Sequence, residues 1–466
     1  MKTNHLHLRK VFIIPMLLLT IGLYSASRHP GSVKASPFAA GSGTVTDTSL
    51  QALEAELPGV EYAKSLRKGS YPAQLAAHIG DIRPSRYGPQ RTDPSEGIPK
   101  HAYSPFDEGN NREYPCPPGG CKFLPNQLLI KFAEDTYIEN AHIPGVAMVT
   151  DQAIQKAFAA HGIVRLEQIF PGAQAPHPGA FAVSRDGQRV PVPNLTRWYS
   201  AVLESEKTDL LAAVEEIGKT PGIDFAEPVY LRRPVGEIKK IAAKGSLPAP
   251  VAALPGLGTD PLYSQQWHLS SARVPEAWAY LESKGLPAGG SRDIVVAVID
   301  TGVDYTHPDL AANIWTNSRE ISGNGIDDDS NGYVDDVHGA DVITPSGNPQ
   351  DDHGHGTHVA GIIGAQAGNG QGGVGVAYNV QIMAIKAAQY SGVLSTTDIA
   401  KGIQYAVAHG ADVINMSFGG YSRSQIEEDA LMVAFGQAVL VAAAGNDGVV
   451  NLPCPFGRDM YPAAYN

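Results

Sequence analysis

Four stretches in the second half of the chain are dominated by apolar residues and lack the alternation of a half-solvated strand. They are Asp293-Ile-Val-Val-Ala-Val-Ile-Asp300 and residues 380–387, 412–416 and 438–444. Runs of this kind predict strands buried on both faces, as in a parallel sheet. Between them the period changes. Ile399, Ile403 and Val407 recur every fourth residue across 397–409, predicting a helix that Gly410 ends. A further helix is expected across 424–436. Strands alternating with helices predict an α/β fold with a doubly wound, mostly parallel sheet over residues 259–466.

The stretch 122–233 follows another pattern. Residues 127–132 read as a strand, and 149–160 as a helix opened by Thr150 or Asp151 and closed at Gly162. Further strands are expected at 164–170, 180–184 and 197–203. A second helix over 208–219 carries Leu210, Leu211, Val214 and Ile217 on one side, and a last strand spans 223–231. The order β-α-β-β-α-β predicts a small α+β, ferredoxin-like domain. It carries no clustered catalytic residues, so it reads as a folding or interaction module. The segments 36–121 and 234–258, rich in Pro, Gly and Ala, read as linkers, the first with one short helix near 48–57.

At the start, Lys2, Arg9 and Lys10 precede an apolar run from Val11 to about Tyr24, which is short for a bilayer span. Small residues follow, with Ser25-Ala-Ser27 or Val33-Lys-Ala35 as cleavage sites. Residues 1–35 are read as an export signal, with an uncleaved anchor as the alternative. The expectation is a secreted or extracytoplasmic protein with no stable membrane insertion once the signal is removed. A formal net charge of −12 argues against a nucleic-acid partner. Cys116, Cys121 and Cys454 make no disulfide framework, and a lone Cys-x4-Cys is a weak zinc or redox signal.

Candidate chemistry gathers at strand and loop ends. Asp300 ends the most apolar strand, where ligands sit in open parallel sheets, and a carboxylate there needs a partner to offset its desolvation. The Gly-rich stretch Asp351-Asp-His-Gly-His355-Gly-Thr-His358 offers histidines, and Ala442-Ala-Ala-Gly-Asn446 offers an amide. An Asp that orients a His, with an amide donor for an oxyanion, makes two-thirds of an acyl-transfer site. His353 and His358 are read as structural or solvent-facing. A zinc set of Asp352, His353, His355 and His358 lacks the His-Glu-x-x-His spacing.

Asp300-Thr-Gly-Val-Asp-Tyr-Thr-His-Pro-Asp-Leu310, His355-Gly-Thr-His-Val-Ala-Gly361, Asn415-Met-Ser-Phe-Gly-Gly420 and Ala443-Ala-Gly-Asn446 stand in this order. Together they resemble the blocks of the subtilase (subtilisin-like) serine endopeptidases from residue 259 onward. Residues 126–233 also resemble that family's inhibitory propeptide, with a closing Phe225-Ala-Glu-Pro-Val-Tyr230. The resemblance implies that Asp300 orients His355, which acts as general base and then general acid, and that Asn446 donates to the oxyanion. It implies that the backbone of Ser417, Phe418, Gly419 and Gly420 pairs with an extended peptide substrate. It also makes the chain's own propeptide a partner, within a zymogen.

One block is missing. No serine follows Ser424, whereas the family's nucleophile sits in a Gly-Thr-Ser-Met-Ala-like block after the asparagine. Ser417 matches a substrate-contacting position. The expectation is a C-terminally truncated endopeptidase that is inactive as written, with a catalytically inactive peptide-binding pseudoprotease as the alternative.

Asp327, Asp329, Asn331 and Asp335, with Gly332 sixth, follow the alternate-oxygen spacing that opens a calcium loop, although His338 stands where a bidentate Glu is usual. The resemblance adds Asp260, Asp309 and Asn369 as a second structural calcium set.

Overall fold

The computed structural model describes residues 122–140, 147–183, 189–204, 209–236, 259–446 and 459–465. The export signal, the linker at 36–121 with its helix, and all three cysteines lie outside the described residues.

The first unit holds β1 (Phe123–Phe132), β2 (Ile138–Asn140), β3 (Ala147–Val149), α1 (Gln152–Ala160), β4 (Ile163–Gln168), β5 (Phe181–Val183), β6 (Arg189–Pro191), β7 (Trp198–Leu203), α2 (Leu210–Ile217) and β8 (Ile223–Pro234). Strands β8, β1, β7 and β4 lie side by side in that order, all antiparallel. This is the ferredoxin-like arrangement of a β-α-β-β-α-β unit. Asp151 and Asp209 accept the free N–H groups opening α1 and α2, so both helices begin where an acceptor side chain is available. Because side chains alternate along a strand, β1 and β7 serve two cores. Leu128, Ile130, Phe132, Tyr199 and Leu203 pack with Ile154, Leu210 and Ile217 of the helices. Leu129 and Trp198 face the opposite way.

Three expectations change here. Residues 181–183 do not join the main sheet: among the described residues β5 pairs only with β6. Pro176, Pro178, Pro191 and Pro193 around it have no N–H for a longer ladder. The first helix starts at Gln152, not 149, because Val149 pairs with Ile138 in β3. The linker expected from 234 begins later, because β8 continues through Pro234 and pairs with the second unit.

The second unit holds α3 (Trp267–Ser271), α4 (Val274–Ser283), β9 (Val295–Asp300), β10 (Gly339–Asp341), α5 (His355–Gly364), β11 (Gln381–Lys386), β12 (Leu394–Ser395), α6 (Thr396–Ala408), β13 (Val413–Met416), β14 (Phe418–Gly419), α7 (Gln425–Phe435) and β15 (Val439–Ala442). Its sheet runs β10-β11-β9-β13-β15 and every pairing is parallel. Val296, Val298 and Ile382 pack with Val359 and Ile363 of α5 on one face. Ala297, Ile299 and Ile385 pack with Ile399, Ile403 and Ile426 of α6 and α7 on the other. The sheet is therefore covered on both sides, as its alternation-free strands require. From β9 the chain fills one side of the sheet and then the other, so the crevice beyond Asp300 lies at the switch in strand order.

The two units share a core. Leu129, Trp198, Val229 and Leu231 of the first sheet belong to the same apolar cluster as Ile399, Ile403, Ile426 and Ala430. Trp198 Nε1 donates to Asp429 at 2.9 Å, and the Glu227 carboxylate accepts from Ser424 Oγ, Gln425 N and Ile426 N at 2.9–3.0 Å. Glu227 thus supplies, from another part of the chain, the cap at the start of α7.

Candidate active site

Asp300 and His355 meet at the carboxyl end of β9. The His355 Nδ1–H donates to Asp300 Oδ1 at 2.7 Å, and both side chains are buried. A carboxylate can only accept, which fixes the tautomer: the proton sits on Nδ1 and the other ring nitrogen is left for chemistry. Thr301 N donates to the same oxygen at 2.7 Å. Asp300 Oδ2 is buried without a hydrogen bond among the described residues. Burial pulls the His355 pKa down. The bond to Asp300, the charge of Asp300, a hydrogen bond with the Val235 backbone and the charge of Asp351 outweigh it, so the pKa ends above its usual value.

The helix bearing His355 is held by a residue the sequence reading did not single out. Asp351 accepts from His353 N, Gly354 N and Thr357 N at 2.8–2.9 Å, and Thr301 Oγ1 donates to it at 2.9 Å. Thr301 Oγ1 in turn accepts from Gly356 N at 2.9 Å. Donors that the first turn of α5 leaves free are thereby tied to the strand end carrying Asp300. Burial alone would raise the Asp351 pKa, but these bonds, led by Thr357, bring it below the usual carboxylate range. An acidic residue four positions before a helical His was the available signal.

The residues expected to pair with a peptide lie in and beside β14. Phe418 and Gly419 pair antiparallel with Pro234 and Arg233, and Val235 N donates to Ser417 O at 2.8 Å. On its other edge the segment pairs with β12, Arg232 opposite Leu394 and Leu231 opposite Ser395. The chain's own residues 231–235 therefore lie as a middle strand in the cleft, ending at His355. Gly420 exchanges backbone hydrogen bonds with Tyr461 instead. Asn446 follows β15, four residues past its end and partly buried, at the same carboxyl end of the parallel strands as Asp300 and Ser417. His353 and His358 are exposed.

Among the described residues, Glu320, Asp327 and Asp329 bring ligand oxygens within 4.8 Å of one another, and no other group of three His, Cys, Asp or Glu side chains does so. Asp352, His353, His355 and His358 thus form no such group. Asp329 Oδ1 and Glu320 Oε2 are buried without hydrogen-bond partners. Asp327 and Asp329 of the expected loop come together and Glu320 joins them, whereas Asp335 turns to Gly323 N, Asn324 N and Gly325 N, and Asn331 to Asp336. In the second expected set, Asn369 Nδ2 donates to Asp309 at 2.8 Å. Asp260 accepts from Gly368 N and Gly370 N at 2.6 and 2.9 Å. The three hold one loop, with their oxygens engaged by N–H donors.

Residues 291–465 match the sequence model of the subtilase family. Subtilisin-like protease 1 of Plasmodium vivax is 42% identical over 154 residues, covering 33% of this chain and 24% of that protein. Thermitase of Thermoactinomyces vulgaris is 34% identical over 209 residues, covering 44% of this chain and 62% of the enzyme. The crystal structure of fervidolysin from Fervidobacterium pennivorans, a keratinolytic enzyme related to subtilisin, superposes with a TM-score of 0.44 at 23% identity. It covers 74% of this chain and 42% of that one. The chain spans about a quarter of the length of the first curated relatives it matches.

Proposed function

Residues 291–465 are a domain of the subtilase family, and from that premise we propose that the chain serves as a secreted subtilisin-like serine endopeptidase made as a zymogen. The observation that carries this is the buried Asp300–His355 bond at the end of a strand-lined cleft that already holds an extended peptide.

In the proposed reaction, a serine hydroxyl attacks the scissile carbonyl and gives its proton to His355. Asp300 holds the ring in place and stabilises it while charged. His355 then returns the proton to the leaving amine, and water repeats the cycle on the acyl intermediate. The Asn446 amide donates to the oxyanion. No serine follows Ser424 in these 466 residues, so we expect them to bind peptides without cleaving them. The alternative is a peptide-binding pseudoprotease that uses the same cleft.

The segment in the cleft supports an inhibitory role for residues 122–235. The Val235–Gly236 bond is the one presented to His355, and we propose it as the bond whose cleavage separates the two units. Oxygen-only donors suit a structural calcium ion at Glu320, Asp327 and Asp329, whereas the side-chain oxygens of Asp260, Asp309 and Asn369 already accept from N–H groups and do not fit a second ion. Secretion rests on the export signal, and no helix among the described residues is long and apolar enough to cross a membrane.

Reading the coding sequence past the codon for Asn466 tests the enzyme against the binder. A Gly-Thr-Ser block in frame, and serine-inhibitor-sensitive casein hydrolysis by the chain that contains it, support the enzyme. A stop codon there, with no hydrolysis, supports the binder.

A further inference from the structure

Two consecutive arginines in the cleft segment have opposite fates. Arg233 is exposed, while Arg232 is 1% exposed, and its guanidinium meets Glu427, which is 0% exposed. The alternation of side chains along a strand accounts for the split: one arginine faces solvent and the next faces the wall of the cleft. Arg232 Nη2 donates to Glu427 Oε2 at 2.7 Å and Nε to Oε1 at 3.3 Å, the two-pronged geometry that suits guanidinium and not ammonium. Tyr465 OH donates to the same Glu427 Oε2 at 2.7 Å, holding the carboxylate from behind. Gly420 makes the room. A β-carbon there would stand 3.2 Å from both Cδ and Nη1 of Arg232.

The geometry points to Glu427 as the floor of a subsite that selects arginine three residues before the residue whose carbonyl is attacked. This rests on the proposed peptide cleft and names its substrate class: extended peptides of the form Arg-x-x-x, cut after the last x. The position is counted from Val235, whose N–H pairs with Ser417 O and whose backbone contacts His355. A peptide with an apolar side chain at that position would leave the buried Glu427 carboxylate with the Tyr465 hydroxyl and no cation to balance its charge. Sites built around a buried polar group discriminate strongly for this reason. Arg233, facing water, gives the next position no such selection.

The 466-residue chain carrying Arg232→Ala, whose own segment has lost this anchor, is titrated with labelled Arg-Arg-Pro-Val-Gly and Leu-Arg-Pro-Val-Gly and read by fluorescence anisotropy. The arginine peptide is expected to bind at least about 100-fold more tightly. Adding Glu427→Gln should abolish that ratio, and adding Glu427→Leu should reverse it. Circular dichroism verifies folding, and Arg232→Gln, which keeps a polar side chain without the charge, replaces Arg232→Ala if the latter unfolds. Equal affinities for the two peptides, or a preference untouched by Glu427→Gln, overturn the arginine subsite and leave the peptide cleft standing. Failure of every variant to bind either peptide overturns the cleft itself, and the subsite with it.

Discussion

Gly356 lies so close to Gly302 that a β-carbon on it would stand 2.0 Å from the Gly302 carbonyl oxygen and 3.1 Å from the β-carbon of Asp300. One glycine follows the acid and the other follows the base, so their contact sets how near the carboxylate and imidazole can come. Gly302 has φ +101° and its own β-carbon would meet the Pro349 carbonyl oxygen at 2.5 Å. Gly356→Ala should therefore destabilise the chain by about 1–3 kcal/mol or more, by overpacking against backbone. Urea unfolding gives the stability, and loss of the downfield Nδ1 proton signal of His355 would report the parted pair.

The raised pKa of His355 carries a pH signature. Such a group contributes its full stabilisation below the unfolded value, about 6.5, and loses it as the pH rises through the folded value. Asp300→Asn removes the main cause, so the His355 ring should titrate at lower pH by NMR. The stability gap between the parent and the variant should be widest below about 6.5 and narrow as the solution becomes alkaline.

Asp351→Ala deletes the acceptor for three backbone N–H groups at the opening of α5. A loss of about 2 kcal/mol is expected, at the upper end for a helix cap. Asp351→Asn, which keeps one acceptor oxygen, should recover part of it in the same thermal unfolding assay.

Glu227 is fully enclosed between the units, and burial pushes its pKa up to about 7, against the opposing bonds from α7. An acid with a raised folded pKa contributes stability below its unfolded value, about 4.5, and loses that contribution as the pH climbs through about 7. Glu227→Gln should flatten the dependence of the melting temperature on pH across that window. An unchanged pH slope in the variant would remove Glu227 as its source.

If Glu320, Asp327 and Asp329 hold calcium, the ion at 100 times its Kd should add about 2.7 kcal/mol of stability, lost on adding EGTA. Glu320→Gln should remove most of the calcium-dependent rise in melting temperature. A melting temperature indifferent to calcium and EGTA in the parent would refute the proposed site.

Much of the fold was legible along the chain. The β9 run has no alternation because both of its faces are covered, and the helix at 397–409 announced itself by Ile399, Ile403 and Val407 and stopped at Gly410. Asp300 at a strand end and His355 at the start of a glycine-rich helix marked the candidate site for similar reasons, since residue type and local position restrict what such groups can do. The short strand β12 left no trace, and β14 was marked only by the resemblance at residues 417–420. Two residues with no period of their own become a strand only because residues 231–234 lie between them.

Local pattern dictates which segments become strands and helices, because period and capping act over a few residues. It could not reveal that a stretch reading as the start of a linker would fill the cleft, nor that Arg232 would find Glu427 across 195 residues of chain. Those outcomes depend on which backbone edges remain unpaired, and which charges remain unmatched, after the separate layers have packed together. Such quantities exist only in the assembled molecule.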